Sequence, residues 1–156
     1  MIAHPHAMPP DGRHRYAIRV YYEDTDAGGV VYHANYLRYA ERARTEALRA
    51  VGIPHAEMVE RFGVMFMVRR AELDYLRPAR LDDSLVVETE VLAVGGATTS
   101  LRQAVHGPLG LCADITVRLA CVRTGDAQIG GSKPGRIPPR WRETLAAMRD
   151  AAGHTT

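Results

Sequence analysis

Between Tyr16 and Tyr22 the chain alternates. Tyr16, Ile18, Val20 and Tyr22 share one side, and Ala17, Arg19 and Tyr21 the other. A period of two predicts a strand. After an acidic, glycine-bearing stretch the period changes. Tyr36, Ala40, Ala43, Ala47 and Val51 recur at spacings of three and four, while Arg38, Glu41, Arg42, Thr45 and Arg49 project elsewhere. This predicts a helix from about Asn35 to Val51, with Asn35 as N-cap, Gly52 just past its end and Pro54 preventing continuation. A stripe built mostly from alanine lets the helix lie very close to its support, so a sheet wrapping around it is expected. A short second helix is predicted over Pro54 to Arg61.

From Gly63 onwards, strand follows strand. "VMFMVRRAELDYLRPA" is long enough to contain a bulge or bend. "SLVVETEVLAV" turns at Gly95-Gly96 into "ATTSLRQAVH", which turns at Gly107-Pro108 into "LGLCADITVRLACVR". Connections this short imply antiparallel pairing, since parallel strands need long crossovers. The order predicts an α+β fold with one five-stranded antiparallel sheet. One helix covers only part of such a sheet, so a dimer or larger homo-oligomer is expected. The segment from Pro139 to Ala152 is amphipathic, with Trp141, Leu145 and Met148 on its apolar side. Residues 1–14, rich in His and Pro, read as a flexible leader, 15–139 as the folded domain and 140–156 as a C-terminal helical extension. His4, His6 and His14 lack cysteine or carboxylate companions on a fixed scaffold, so no metal site is expected.

Composition narrows the classes. With 156 residues, 46% hydrophobic and 24% charged, the chain has the makeup of one ordinary globular domain. A formal net charge of +2 gives no argument for nucleic acid. Cys112 and Cys121 belong to no metal or redox spacing and read as buried thiols of a reducing compartment. No apolar run approaches the roughly 18 residues of a membrane span, and the N-terminus has no secretory pattern, so a cytoplasmic location is expected.

The candidate chemistry lies in "YYEDTDAGGVVYHANY", residues 21–36. In extended geometry Asp24 and Asp26 would point the same way. Gly28 and Gly29 permit close backbone approach, and Val30, Val31 and Tyr32 form an apolar wall leading to the helix start at His33 to Asn35. The first N–H groups of a helix lack partners and carry the positive end of its dipole, so they can polarise a carbonyl. A carboxylate opposite them, as nucleophile or general base, completes the parts for acyl transfer.

The stretch "VYYEDTDAGGVVYHANYLRYAERARTEALRAVGI" carries D-x-D-x-x-G-x-V-Y-H-x-N-Y and then "YAERARTEAL". It resembles the hotdog-fold acyl-CoA thioesterases of the 4-hydroxybenzoyl-CoA thioesterase family, in particular their Tol-Pal-associated, YbgC-like branch. "YLRPARLDDSLVVET" and "KPGRIPP" agree in order and length, so the likeness runs from about Arg15 to Pro139. It implies a hotdog fold, a five-stranded antiparallel sheet wrapped around a long central helix, with sites at subunit interfaces of a homodimer or homotetramer. It implies hydrolysis of an acyl-CoA, or of an acyl carrier protein thioester, without a cofactor, in the cytoplasm or peripherally at the inner membrane. Asp26 matches the family's catalytic aspartate. His33 and Tyr22 match residues implicated in the branch, and the backbone of Tyr32 and His33 matches the carbonyl-polarising amides.

Around that core, Glu23 and Asp24 are expected to brace or tune Asp26. Gly28, Gly29 and Val30 would sit against the substrate. Met65, Phe66 or Met67 would set the acyl preference. Arg69, Arg70, Lys133 and Arg136 are candidates for the CoA phosphates. Glu41 and Glu46, rival bases in another hotdog lineage, have Arg42, Arg44 and Arg49 beside them and read as helical ion pairs. "GGSKPG" has the wrong spacing for a P-loop. Two other readings share the fold: an acyl-thioester hydratase or dehydratase, against which the DxDxxG loop speaks, and a non-catalytic acyl-CoA or acyl-carrier binder, against which the intact Asp26 and His33 speak.

Overall fold

The computed structural model describes residues 8–127 and 133–155. The chain runs β1 (His14–Arg19), a 3-10 turn (Tyr22–Asp24), α1 (Asn35–Ala50), α2 (His55–Phe62), β2 (Val64–Tyr75), β3 (Ser84–Val94), β4 (Thr98–Gly107), β5 (Gly110–Arg123), the single turn α3 (Thr124–Ala127) and α4 (Pro139–Ala151). All pairings in the sheet are antiparallel, in the order β1-β3-β4-β5-β2. The long strand, with length enough for a bulge or bend, bulges at Arg69, where the register of β2 against β5 shifts between Val68 and Arg70.

The alanine stripe does what its spacing predicts. Tyr36, Ala40 and Ala43 are buried in one core with Leu85, Val87 and Val91 of β3, Leu101 and Val105 of β4, and Ile115 and Val117 of β5, and Ala47 is buried as well. Because alanine brings helix and sheet so close, the fully buried Gln103 of β4 reaches the helix backbone and donates to the Ala40 carbonyl at 2.8 Å. Gly52 adopts φ 81°, as a residue closing a helix in the left-handed region should. Asn35 is not the N-cap. Ala34 holds that position, and Asn35 Nδ2 donates instead to the Asp24 carbonyl at 2.8 Å.

The first strand ends three residues earlier than its alternation suggests. The Tyr21 N–H donates to the Asp24 carboxylate at 2.9 Å and the Thr25 N–H to the Tyr22 carbonyl at 3.1 Å, which winds the chain into a turn after Val20. Tyr22 thereby leaves the apolar face and is 82% exposed.

The described parts of both flanking segments pack on the fold. Residues 8–13, expected as part of a flexible leader, are tied down. Arg13 lies 3.0 Å from the buried Glu90 carboxylate and also donates to the Ala152 carbonyl. Gly12 sits so close to α4 that a Cβ would meet the Met148 carbonyl oxygen at 2.4 Å. His4 and His6 lie outside the described residues. On α4, Trp141, Leu145 and Met148 are buried in the common core, and the Trp141 ring packs edge-on against Phe62 with centroids 5.4 Å apart. Trp141→Ala is expected to cost about 3–5 kcal/mol, read as a lowered urea midpoint with a similar m-value. Cys112 and Cys121 are buried thiols, and burial pushes Cys121 up to about 11. Among the described residues no helix is long and apolar enough to cross a membrane.

Candidate active site

The acidic stretch folds into a small closed loop. Thr25 and Val31 form an antiparallel bridge, the Asp26 N–H donates to the Val30 carbonyl at 2.9 Å, and the Gly29 N–H donates to the Asp26 carbonyl at 3.0 Å. Gly29 takes φ 76°, where a side chain would be strained. Gly28 serves differently. Its N–H donates to Asp26 Oδ1 at 2.8 Å, and a Cβ there would press against that oxygen at 3.2 Å. One carboxylate oxygen of Asp26 is thus aimed by the loop, and the other has no protein donor among the described residues. Asp24 does not point with Asp26: it lies in the 3-10 turn, its carboxylate accepting the Tyr21 N–H. The extended geometry that would align the two acids is absent, and Asp24 braces the turn.

The loop is fastened to the segment after β2. The Val31 N–H donates to the Ala79 carbonyl at 2.8 Å, Val30 bridges Arg80, and the Ala79 N–H donates to the Tyr36 hydroxyl at 3.1 Å. The Tyr75 hydroxyl donates to the His33 carbonyl at 3.0 Å, holding the approach to α1. Together they frame a cleft of about 330 Å³ lined by Asp26, Val30, His33, Tyr36, Tyr75 and Arg77.

At the helix start the two expected amide donors part company. The Tyr32 N–H is committed to the Asp24 carbonyl at 2.9 Å, so it is not available to a ligand. The His33 N–H has no protein partner among the described residues and lies beside the cleft. The cleft therefore offers an exposed carboxylate, an imidazole and one backbone donor without a protein partner near the positive end of α1.

The other expected site residues are dispersed within one chain. Tyr22 lies outside the cleft lining. Met65 and Phe66 line a separate cavity with Leu48, Leu101 and Leu119. The nine steps of extended strand from Phe66 to Tyr75 span about 30 Å. Arg69 lines a third cavity with Val122 and Pro134, at the Lys133 end of the molecule rather than beside Asp26. Glu46 pairs with Arg49 on α1 as expected, whereas Glu41 borders the Met65 cavity. Sequence reasoning assigned nothing to Tyr75 or Arg77, although both stand in the recognised "YLRPAR" stretch. The signal was an aromatic ending a strand followed by Arg-Pro, which stops the strand at a fixed place.

Residues 28–108 match the family model described as thioesterase superfamily. The chain is 44% identical over 138 residues to the acyl-CoA thioesterase YbgC of Haemophilus influenzae, covering 88% of this chain and 96% of that protein. It is 46% identical over 110 residues to the acyl-CoA thioester hydrolase YbgC of Escherichia coli O6:H1, covering 69% and 81%. A crystal structure from Bartonella henselae, described as a probable thioesterase, superposes with TM-score 0.73 at 32% identity, covering 81% of this chain and 99% of that one. A 4-hydroxybenzoyl-CoA thioesterase mutant complexed with 4-hydroxybenzoyl-CoA superposes with TM-score 0.76 over 85% of this chain and 98% of its own, and at 18% identity it speaks for the fold alone. With the family model matching more than half of the chain and these relatives covered almost throughout, the chain belongs to the thioesterase superfamily, in its YbgC-like branch.

Proposed function

We propose that Asp26 is the group with which this acyl-CoA thioesterase opens its substrate. The observation that carries the reading is that the Asp26 carboxylate and the unpartnered His33 N–H border the same cleft. A thioester carbonyl placed between them has its oxygen polarised by the amide and the helix dipole. Asp26 then either attacks the carbonyl carbon, giving a mixed anhydride that water hydrolyses, or takes a proton from water as that water attacks. In both routes the C–S bond breaks and the leaving thiolate takes a proton, which the His33 imidazole supplies on this reading; the new acid oxygen comes from water when water attacks the thioester, and from Asp26 when water opens the anhydride at the aspartyl carbon. Release of thiol from a panel of acyl-CoAs tests the reading. Turnover of enoyl thioesters by water addition, with no thiol released, would instead favour a hydratase.

The cleft is open in one chain, and a second copy closes it. β2 is an edge strand with one unpaired side, and Met67, Val68, Tyr75 and Leu76 at and beyond it are between 38% and 58% exposed. Antiparallel pairing of two β2 strands about their middle, near Arg69 and Arg70, sets Met65 of one copy roughly opposite Asp74 of the other. The Met65 cavity of each copy then adjoins the Asp26 cleft of its neighbour. Residues about 30 Å apart in one chain thus form one site in two.

CoA phosphates need cations at the mouth. Arg77 lines the cleft and is exposed, which places it better than Arg69 or Lys133. Arg77→Ala is expected to raise KM for acyl-CoA about tenfold with kcat within about twofold, since the contact is made equally in ground and transition states. Initial rates against acyl-CoA concentration check it, and an unchanged KM would assign the phosphates elsewhere.

A further inference from the structure

The second cavity holds more than apolar walls. Its volume is about 310 Å³, and beside Leu48, Met65, Phe66, Leu101 and Leu119 it is lined by Arg44, His55, Thr45 and Glu41. A largely buried guanidinium is costly unless it is paired. Arg44 forms no ion pair with a carboxylate among the described residues, and burial pulls it below the usual guanidinium range. Glu41, exposed at the border of the cavity, acts on it through space only.

What Arg44 does have is a fixed orientation. Its Nη1 donates to Gln103 Oε1 at 3.0 Å. Gln103 is fully buried, and its Nε2 donates to the Ala40 carbonyl at 2.8 Å and to Thr89 Oγ1 at 3.0 Å. Turning the amide over would set its oxygen against the Ala40 carbonyl and its NH2 against the Arg44 guanidinium, so its oxygen stays towards Arg44. One guanidinium N–H is therefore anchored while the others remain for whatever fills the cavity. His55, half-buried and kept neutral by that burial, adds ring nitrogens to the same lining.

We propose that this cavity receives the acyl end of a thioester opened at the Asp26 cleft of the second copy, and that Arg44 selects acyl groups carrying an oxygen acceptor over alkyl groups of equal length. The inference rests on the two-copy site proposed above. An alkyl chain would leave the guanidinium N–H groups unpaired in a site closed to water, whereas a hydroxyl or carboxyl oxygen satisfies them. Sites built to hydrogen-bond an oxygen discriminate against analogues lacking it far more than a pocket discriminates by one methylene.

The test compares kcat/KM of the wild-type protein for butyryl-, 4-hydroxybutyryl- and succinyl-CoA, which share one chain length. At least one oxygen-bearing thioester is expected to be preferred over butyryl by about tenfold or more. The hydroxyl and carboxyl arms show whether the acceptor is neutral or charged. In Arg44→Met the preference should fall towards one, and Arg44→Lys should retain part of it. A wild-type ratio near one, which requires no variant to fold, overturns the inference, as does a preference that survives Arg44→Met. Calorimetric binding of the corresponding non-hydrolysable thioethers reads the preference as a ratio of affinities, without turnover. Absence of thiol release from every substrate would thus reject the hydrolytic reading while the binding ratio still decides this one.

Discussion

Asp26→Asn is expected to lower kcat by roughly a thousandfold or more, with urea unfolding within about 1 kcal/mol of the wild type. The geometry makes this a clean substitution. The asparagine carbonyl can still accept the Gly28 N–H that now binds Oδ1 at 2.8 Å, so the loop keeps its shape. Asp26 is exposed, so removing its charge leaves no buried partner stranded. What is lost is the second carboxylate oxygen, the only one not engaged by the loop, and an amide nitrogen in its place neither attacks a carbonyl nor takes a proton from water. Thiol release by the purified variant, beside its unfolding curve, checks both halves. Full activity in a folded variant would remove Asp26 from the chemistry. Single turnover in ¹⁸O-labelled water then separates the two routes, since label entering the enzyme carboxylate marks the anhydride.

The elements were legible because they are local. The alanine stripe of α1, the hairpin turns after β3 and β4 and the bulge of β2 are written in residues a few positions apart, where period and turn chemistry act. What escaped notice is long-range. Gln103 reaches the Ala40 carbonyl from 63 positions away, and Tyr75 holds His33 from 42. No spacing rule announces either. Asn35 had the right residue type for an N-cap, and the Asp24 carbonyl outcompeted that role once the acidic turn folded back over the helix start. The same fold-back moved Tyr22 off the apolar face and occupied the Tyr32 amide. The motif marked a candidate site through the order of its residues, and tertiary hydrogen bonds decided which of its atoms stay available.

Mixing two crippled forms of the chain tests the division of the site between copies. Met65→Trp fills the cavity beside Phe66 and should strongly reduce turnover by excluding the acyl group. Asp26→Asn removes the chemistry and leaves the cavity intact. Each homodimer carries the same defect at both sites. In a mixed dimer one site draws both defects, and the other joins an intact Asp26 to an intact cavity. Random pairing of equal amounts makes half the dimers mixed, each with one sound site of two, so activity should return to about a quarter of the wild-type value. Co-refolding from urea, with the dimer verified by size exclusion, gives the measurement. A site built wholly within one chain predicts no more than the mean of the two parent activities, because no pairing would then unite the sound halves. Recovery above that mean requires Asp26 of one copy to work against the cavity of the other.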